Sequence, residues 1–350
     1  MTLKPAAFAI PGDMTQKTGG YIYEYELLMG LRAQQRPVEH VQLPAGFPDA
    51  TAAETAASIE AMAAIADDVP LIIDGLVFGS IDTAGLATVR APIIAMIHHP
   101  LGLETGLPPD RARDLLQREA DNLELARAVI VPSPHTARIL VQQFGVPESK
   151  ITVALPGFRP ADPVHTPLTP PLILSVGLLA ERKGHDVLVA ALSQLADLAW
   201  QAEIVGKTHD AKVEARLRDQ ISRLGLESRV TLAGLLPDAA VIERYRSATI
   251  FALATRYEGY GIVLGEAMLH GLPIVTCRTG AVPDTVADGA GILVPVDDVD
   301  ALAGALRTLL TDATQRRAME EKSAAAGRLL PSWRATAQRV GHIIDQLTQP

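Results

Sequence analysis

Glu258 and Glu266 stand eight positions apart around a glycine-rich turn, in the stretch EGYGIVLGEAMLHGLPIV (258–275). Such a pair could be metal ligands, an acid–base couple, part of a helix cap, or two residues with separate tasks. On one continuous helix a spacing of eight sets them about 80° apart. Gly259 and Gly261 argue against that helix, since each costs roughly 1 kcal/mol relative to alanine in a helix interior. The pattern instead predicts a strand TIFALAT, a loop RYEGYG and a helix beginning near Ile262. Glu258 then lies on the loop and Glu266 in the first turns of the helix. The N–H groups of Gly261, Ile262 and Val263 form the helix N-terminus, a ready place for an anion. A carboxylate beside a bound phosphate repels it, yet can accept two hydrogen bonds from a vicinal diol such as ribose. Glu266 suits that task; a carboxylate merely favoured by the helix dipole is the other reading of the same position.

A second loop-to-helix junction, SVGLLAERKGHDVLVAAL, puts Gly177 at a strand end and Arg182, Lys183 and Gly184 before a helix. Two adjacent cations there could neutralise a diphosphate, or simply be solvated. In PGDMTQKTGGYIYEYELL, Gly19 and Gly20 allow close backbone approach to a ligand, or make an ordinary turn. The run is not a GxGxxG fingerprint, and the chain has no P-loop. The strand APIIAMI ends in His98–His99–Pro100, where His98 can donate a hydrogen bond or act as acid or base. Zinc ligation is disfavoured there by the lack of an HExxH and of an acidic residue nearby in sequence; a structural cap is the remaining reading. There is no GxSxG elbow. The single cysteine, Cys277, sits in the apolar run PIVTC and reads as a small buried residue.

These residues need elements to place them. AAFAI, VEHVQL, PLIIDGL, APIIAMIHH and AVIVPS read as buried parallel strands, separated by helical segments such as YIYEYELLMGLRAQ and PDRARDLLQREADNLELA. A second series follows in PLILSVGLL, AEIVG, RVTLAGLL, TIFALA, PIVTC and GILVPV. Two successive βαβ series imply an α/β protein of two doubly wound, Rossmann-like domains. The expected division is residues 1–160, residues 161–334, and a last amphipathic helix over 335–350 that packs back on the first domain. The segment GFRPADPVHTPLTPP (157–171), with five prolines, reads as the linker or as a long surface loop. Parallel sheets bind ligands at the carboxyl ends of their strands, so two domains face to face would place the site in the cleft between them.

Composition narrows the classes. The chain has 350 residues, 48% hydrophobic and 20% charged, with a formal net charge of −9. Residues 1–160 carry 12 basic and 18 acidic side chains, leaving 31 − 12 = 19 and 40 − 18 = 22 for the rest. Neither half is basic, which speaks against nucleic acid and against strong attachment to anionic lipid. One cysteine excludes a disulfide framework and fits a reducing compartment. The N-terminal apolar run is too short for a signal peptide, and no run of about 18 apolar residues exists. The expectation is a cytoplasmic monomer or homodimer, with at most peripheral contact at the inner face of a membrane.

Taken together the motifs resemble the retaining GT-B glycosyltransferases of family 4, over nearly the whole chain. The stretch EGYGIVLGEAMLHGLPIVTCRTGAVPDTVADGAGILVPVDD resembles that family's E-x7-E block and its continuation. VGLLAERKGHDVLVAAL, VPSPHTARIL, VTLAGLLPDAAVIERYRSATIFALATRYEG and the tryptophan-bearing final helix are similar in order and spacing. The resemblance implies a donor nucleotide-diphosphate sugar, UDP- or GDP-linked, and a carbohydrate, lipid-linked or small-molecule acceptor. It assigns Glu266 to the donor ribose, Glu258 to the neighbourhood of the transferred sugar, and Lys183 to the diphosphate. The amides at Gly261 and Ile262, with Tyr260 and Val263 beside them, meet the distal phosphate. Gly177, Gly206 and Leu235, which follows Gly234, fall on the donor side, Leu235 where backbone meets the base. His98 matches the histidine near the sugar, and Gly19–Gly20 the glycine loop below the donor. Glu258, His98 and Lys183 are thus the catalytic candidates. The family often has arginine after the glycine matching Gly177, where this chain has Leu178; Arg182 is the substitute cation. Asp284, in AVPD, stands where many members have glutamate.

The implied reaction breaks an anomeric C–O bond with retention, the departing phosphate taking the acceptor proton on the same face. Cationic side chains and backbone dipoles stabilise the leaving group, so neither a metal nor another cofactor is expected. Two other enzyme classes and a binding module compete. A nicotinamide-dependent dehydrogenase lacks its GxGxxG and following acid here. A GT-B sugar-nucleotide epimerase is disfavoured by the E-x7-E block, and a non-catalytic sensor by the presence of Glu258, His98 and Lys183 together.

Overall fold

The computed structural model describes residues 3–104, 106–160 and 165–347. The chain divides into two compact units, Met1–Gly157 with Pro331–Pro350, and Phe158–Leu330. In the first, β1 (Ala6–Pro11), β2 (Val38–Leu43), β3 (Leu71–Asp74), β4 (Ile93–Met96), β5 (Ala128–Val131) and β6 (Ile151–Val153) make one parallel sheet in the order β2-β1-β3-β4-β5-β6. Ala7, Ala9, Leu71 and Ile73 pack into one helical layer, and Phe8, Ile10, Ile72 and Ile94 into the opposite one. Burial on both faces is why these strands read as continuous apolar runs. The two edge strands escape that pattern: β2 exposes Glu39 and Gln42, and β6 is three residues long and half-buried.

The second unit is built alike from β7 (Leu172–Val176), β8 (Gln201–Val205), β9 (Val230–Gly234), β10 (Ile250–Leu253), β11 (Ile274–Cys277) and β12 (Gly291–Val294). Its parallel sheet runs β12-β11-β10-β7-β8-β9. Counted from β9, that is third, second, first, fourth, fifth, sixth: the Rossmann order, which reverses between β7 and β10. In the first sheet the reversal lies between β1 and β3. Connections on either side of such a point leave the sheet in opposite directions, opening a crevice at the carboxyl ends of the strands.

The unit boundaries fall a few residues before those expected from sequence. The last helix, Trp333–Leu347, belongs to the first unit. Its buried face of Thr336, Ala337, Val340, Gly341 and Ile344 follows the helical period and packs against the helix Gly19–Ala33. Arg36, 3% exposed, fixes it by two hydrogen bonds of 2.9 Å to Asp345 and one of 3.1 Å to the Gly341 carbonyl. The proline-rich segment is tied down where it is described, which favours the surface-loop reading. Phe158 is buried against Gly265, and the Thr166 and Leu168 amides donate to the Arg246 and Ser247 carbonyls at 2.9 and 3.0 Å. Residues 161–164 of that segment lie outside the described residues.

Gly184 joins the short turn Glu181–Lys183 to the helix His185–Ser193, and its φ of +62° is costly for any other residue. A Cβ there would overlap the Ala254 carbonyl oxygen on the neighbouring strand's continuation. Gly184→Ala is expected to destabilise the protein by about 3 kcal/mol, from strain plus displaced backbone. Urea unfolding of the variant against wild type measures it.

Candidate active site

The helix expected near Ile262 runs Ile262–Leu269, and Gly261 caps it with φ +85°. Glu266 is on it and Glu258 precedes it on the loop, as the glycine spacing required. Glu258 is 5% exposed and meets residues from two strand ends. Its Oε1 accepts from Lys183 Nζ at 2.6 Å and from Thr255 Oγ1 at 2.9 Å, with Arg182 Nη1 3.6 Å away. Lys183 follows β7 and Thr255 follows β10, so the cluster occupies the point where the strand order reverses. Burial pushes the Glu258 carboxyl up, but the Lys183 and Arg182 charges and its hydrogen bonds outweigh that and hold it below its ordinary value. The backbone is pinned as well. The Ala281 amide donates to the Glu258 carbonyl at 2.9 Å, and Gly280, φ +51°, leaves no room for a side chain beside it.

Lys183 and Glu258, assigned separately to a diphosphate and a sugar by the resemblance, are therefore direct partners. Arg182 donates to the Tyr257 carbonyl at 2.7 Å and approaches the same carboxylate, while Leu178 brings no charge. Glu266 is half-buried and accepts from the Tyr245 hydroxyl at 2.8 Å. Burial raises its carboxyl above the usual value despite that hydrogen bond. Tyr245 is in turn sandwiched, stacking on His270 at 5.2 Å and on Phe251 at 5.9 Å between ring centroids. Gly177, Gly206 and Gly234 end or follow β7, β8 and β9. Gly206 donates to the Gly234 carbonyl at 2.9 Å, and a Cβ on it would overlap the Gly177 carbonyl. Leu235, after the positive-φ Gly234, is 57% exposed. Tyr260 is buried and its carbonyl accepts from Thr285 at 2.7 Å, while Val263 is half-buried on the helix.

In the first unit, Gly19 and Gly20 open the helix Gly19–Ala33, and a Cβ on Gly20 would lie 3.5 Å from His98 Cδ2. His98, just past β4, lies edge-on to Tyr23 at 5.2 Å between centroids. The sequence showed no acidic residue near it, but the fold brings two. Glu24 Oε1 is 3.2 Å from His98 Nε2, and an Asp74 oxygen completes a group of three within 4.8 Å of one another. These three residues come from the helix after β1, the end of β3 and the end of β4, again where the sheet order reverses. Burial raises the Glu24 carboxyl to about 7 and pushes Asp74 well above its usual range; burial also lowers His98.

Thr255, Tyr245, Glu24 and Asp74 escaped the sequence reading. Asp74 carried one signal, a charged residue ending the apolar run PLIID. The others are visible only once strand order is known.

Residues 161–326 match the family model described as Glycosyl transferases group 1, and residues 34–162 that described as Glycosyltransferase Family 4. A D-inositol 3-phosphate glycosyltransferase of Acidothermus cellulolyticus is 30% identical over 228 residues, covering 59% of this chain and 51% of that protein. The chain spans about half to two thirds of the length of the curated relatives it matches. The sucrose-phosphate synthase structure from Thermosynechococcus elongatus superposes with a TM-score of 0.81 at 21% identity, over 98% of this chain and 99% of that one. Anabaena HepE in complex with UDP-glucose gives 0.76 at 18% identity over 98% and 99%. The two models follow one another along residues 34–326 and both describe glycosyltransferases, and the chain belongs to the family 4, group 1 glycosyltransferases of GT-B fold.

Proposed function

We propose that this chain moves a sugar from a nucleotide-diphosphate sugar to an acceptor hydroxyl, with retention and without a metal ion. The observation that carries the reading is the buried Lys183–Glu258 pair set at the switch point of the second sheet, immediately before the helix N-terminus at Gly261. Breaking the anomeric bond leaves negative charge on the diphosphate and positive charge on the sugar. Lys183, Arg182 and the amides of Gly261, Ile262 and Val263 serve the diphosphate as preorganised donors. Glu258 orients the sugar and stabilises its positive charge, without being a covalent nucleophile. Glu266, steadied by Tyr245, accepts from the ribose hydroxyls, and the backbone at Leu235 meets the base. From the first unit, His98 serves the transferred sugar and the Gly19–Gly20 backbone serves the donor. The acceptor proton leaves on the departing phosphate.

UDP is favoured as the carrier over GDP by the fold relative in complex with UDP-glucose. A small-molecule acceptor is favoured over a glycan or a lipid-linked one by relatives named D-inositol 3-phosphate glycosyltransferase and Mannosylfructose-phosphate synthase. Among the described residues no helix is long and apolar enough to cross a membrane. The protein acts in the cytoplasm as a monomer or homodimer, with at most peripheral membrane contact. Thermal shift across UDP-, GDP- and ADP-sugars tests the donor, since a ligand of the native state raises stability by mass action. No shift with any of them, and no donor hydrolysis, would sink the assignment.

Two variants divide the roles. Glu266→Ala should raise the donor KM by roughly 10- to 100-fold, the worth of charge-assisted hydrogen bonds, with a smaller effect on kcat. Steady-state kinetics over donor concentration decides it. Lys183→Met removes the cation that holds Glu258 ionised, and should cost about 3 kcal/mol of stability at pH 7. The Glu258 carboxyl is depressed in the folded state, so its stabilising contribution is present at neutral pH and is lost as pH falls through that depressed value. The variant, without that cation, takes up its proton at higher pH, so its deficit should shrink as pH falls and be smallest below the depressed wild-type value, where Glu258 is protonated in both proteins. Urea unfolding at neutral and acid pH measures it; an equal deficit at both would assign the loss to packing.

A further inference from the structure

Glu24 and Asp74 present an electrostatic problem that the reading above leaves unused. Glu24 is fully buried and Asp74 is 4% exposed, and among the described residues neither is paired with a lysine or arginine. Two full negative charges in contact in the interior are strongly disfavoured. Two neutral carboxyls would leave the acceptor position facing His98 without its charge. One shared proton resolves both difficulties, as it does wherever two carboxyls meet out of water. The hydrogen-bond pattern says where that proton sits. Asp74 Oδ1 accepts from the Leu76 and Val77 amides at 2.8 and 3.3 Å, capping the short helix Gly75–Phe78. Glu24 Oε1 faces His98 Nε2, and Glu24 Oε2 meets no other donor in the described structure. A proton on the second Asp74 oxygen, directed at Glu24, would satisfy that orphan and leave Glu24 as the anion.

An ionised Glu24 can only accept, so the hydrogen of the 3.2 Å contact belongs to His98 Nε2. A neutral imidazole with its proton on Nε2 has an acceptor lone pair on Nδ1. We infer that Glu24 and Asp74 act as one monoanionic, proton-sharing pair that holds His98 in its Nε2–H tautomer and thereby presents Nδ1 to accept a hydrogen bond from a hydroxyl of the transferred sugar. Glu24 and Asp74 are positioning residues in this scheme; they act through His98. The inference rests on the proposed sugar transfer for its consequence in rate, and on geometry alone for the tautomer.

The surroundings are consistent with a fixed protonation state. Burial raises the Glu24 carboxyl to about 7 and pushes Asp74 well above its usual range, so the two share protons as a pair. The titratable groups facing them are few. Tyr21 and Tyr23, from the same helix as Glu24, have phenols pushed up by burial, and Asp13, in the loop after β1, acts on Tyr21. Tyr21 and Tyr23 spend their hydroxyls on the Pro11 and Ala154 carbonyls at 3.0 and 2.7 Å. The same three side chains could instead gather a divalent cation, and the experiment must separate the two.

The test reads the His98 ring nitrogens by ¹⁵N NMR on histidine-labelled protein, with His98→Gln supplying the assignment. The expected result in the wild type is a protonated Nε2 and an unprotonated Nδ1 at pH 7.5 to pH 9, unchanged by chelator or added Zn²⁺ or Mn²⁺. Asp74→Asn replaces the shared proton by a permanent N–H donor and should keep both the tautomer and kcat within about threefold of wild type. Glu24→Leu should mix the tautomers and lower kcat by roughly tenfold or more at little change in donor KM, as losing an orienting partner does. Glu24→Gln, whose carbonyl oxygen still accepts from Nε2, should restore most of that loss. In a His98→Gln background Glu24→Leu should cost nothing further. An unprotonated Nε2 in the wild type, a chelator- or metal-dependent His98 signal, or an Asp74→Asn variant as impaired as Glu24→Leu would overturn the inference. A correct tautomer in a protein that neither binds nor hydrolyses nucleotide sugars would instead refute the proposed reaction and leave the pair standing.

Discussion

The second unit is organised around one ammonium and one carboxylate 2.6 Å apart in its interior. Burying either alone would cost several kcal/mol, and the pair repays that only if its geometry is held closely. Much of the nearby backbone can be understood as the means of holding it. Gly184 lets β7's following loop turn against Ala254, Gly280 lets the loop after β11 press on Glu258, and Thr255 supplies the second hydrogen bond. A pair of apolar residues would fill the same volume at no electrostatic cost. Retaining charges there suits the polyanionic donor proposed above, since a lysine already desolvated and aimed has little left to reorganise.

The first unit solves a related problem with a different counter-charge. In the second sheet the buried carboxylate is neutralised by lysine; in the first, Glu24 and Asp74 have no lysine or arginine beside them among the described residues and lie against the His98 imidazole, which is why a shared proton is inferred there. Both clusters sit at the carboxyl ends of strands where the connection order reverses, and the reason is topological. Elsewhere along a doubly wound sheet the helices close over the strand ends, whereas at the reversal a polar side chain can be enclosed by neighbours and still approach a ligand.

Local chemistry made much of this legible from sequence. The two glycines of EGYGIVLGE forced the break between Glu258 and Glu266, and the helix begins at Ile262 as that break requires. Short runs located eleven of the twelve strands among the described residues; β6 was missed because three half-buried edge residues leave no periodic signal. Partnerships were harder. Lys183 and Glu258 are 75 positions apart, and Glu24 is 74 from His98, so their contacts depend on strand order. Sequence supplied the strands without their neighbours. His98 shows the limit most clearly: no acid lies close to it along the chain, while Glu24 and Asp74 reach it from the helix after β1 and from the end of β3.

The helix Trp333–Leu347 closes the first unit although the second unit's entire sequence intervenes. Ala337, Val340 and Ile344 belong to the same apolar layer as Phe8 and Leu27, and Asp345 neutralises the buried Arg36. The ribosome therefore delivers the contiguous unit, Phe158–Leu330, before it delivers the material that completes the amino-terminal one. Nascent residues 1–157 must wait with an uncovered hydrophobic layer and an unpaired guanidinium until the tail emerges, which reverses the usual order of domain maturation during synthesis.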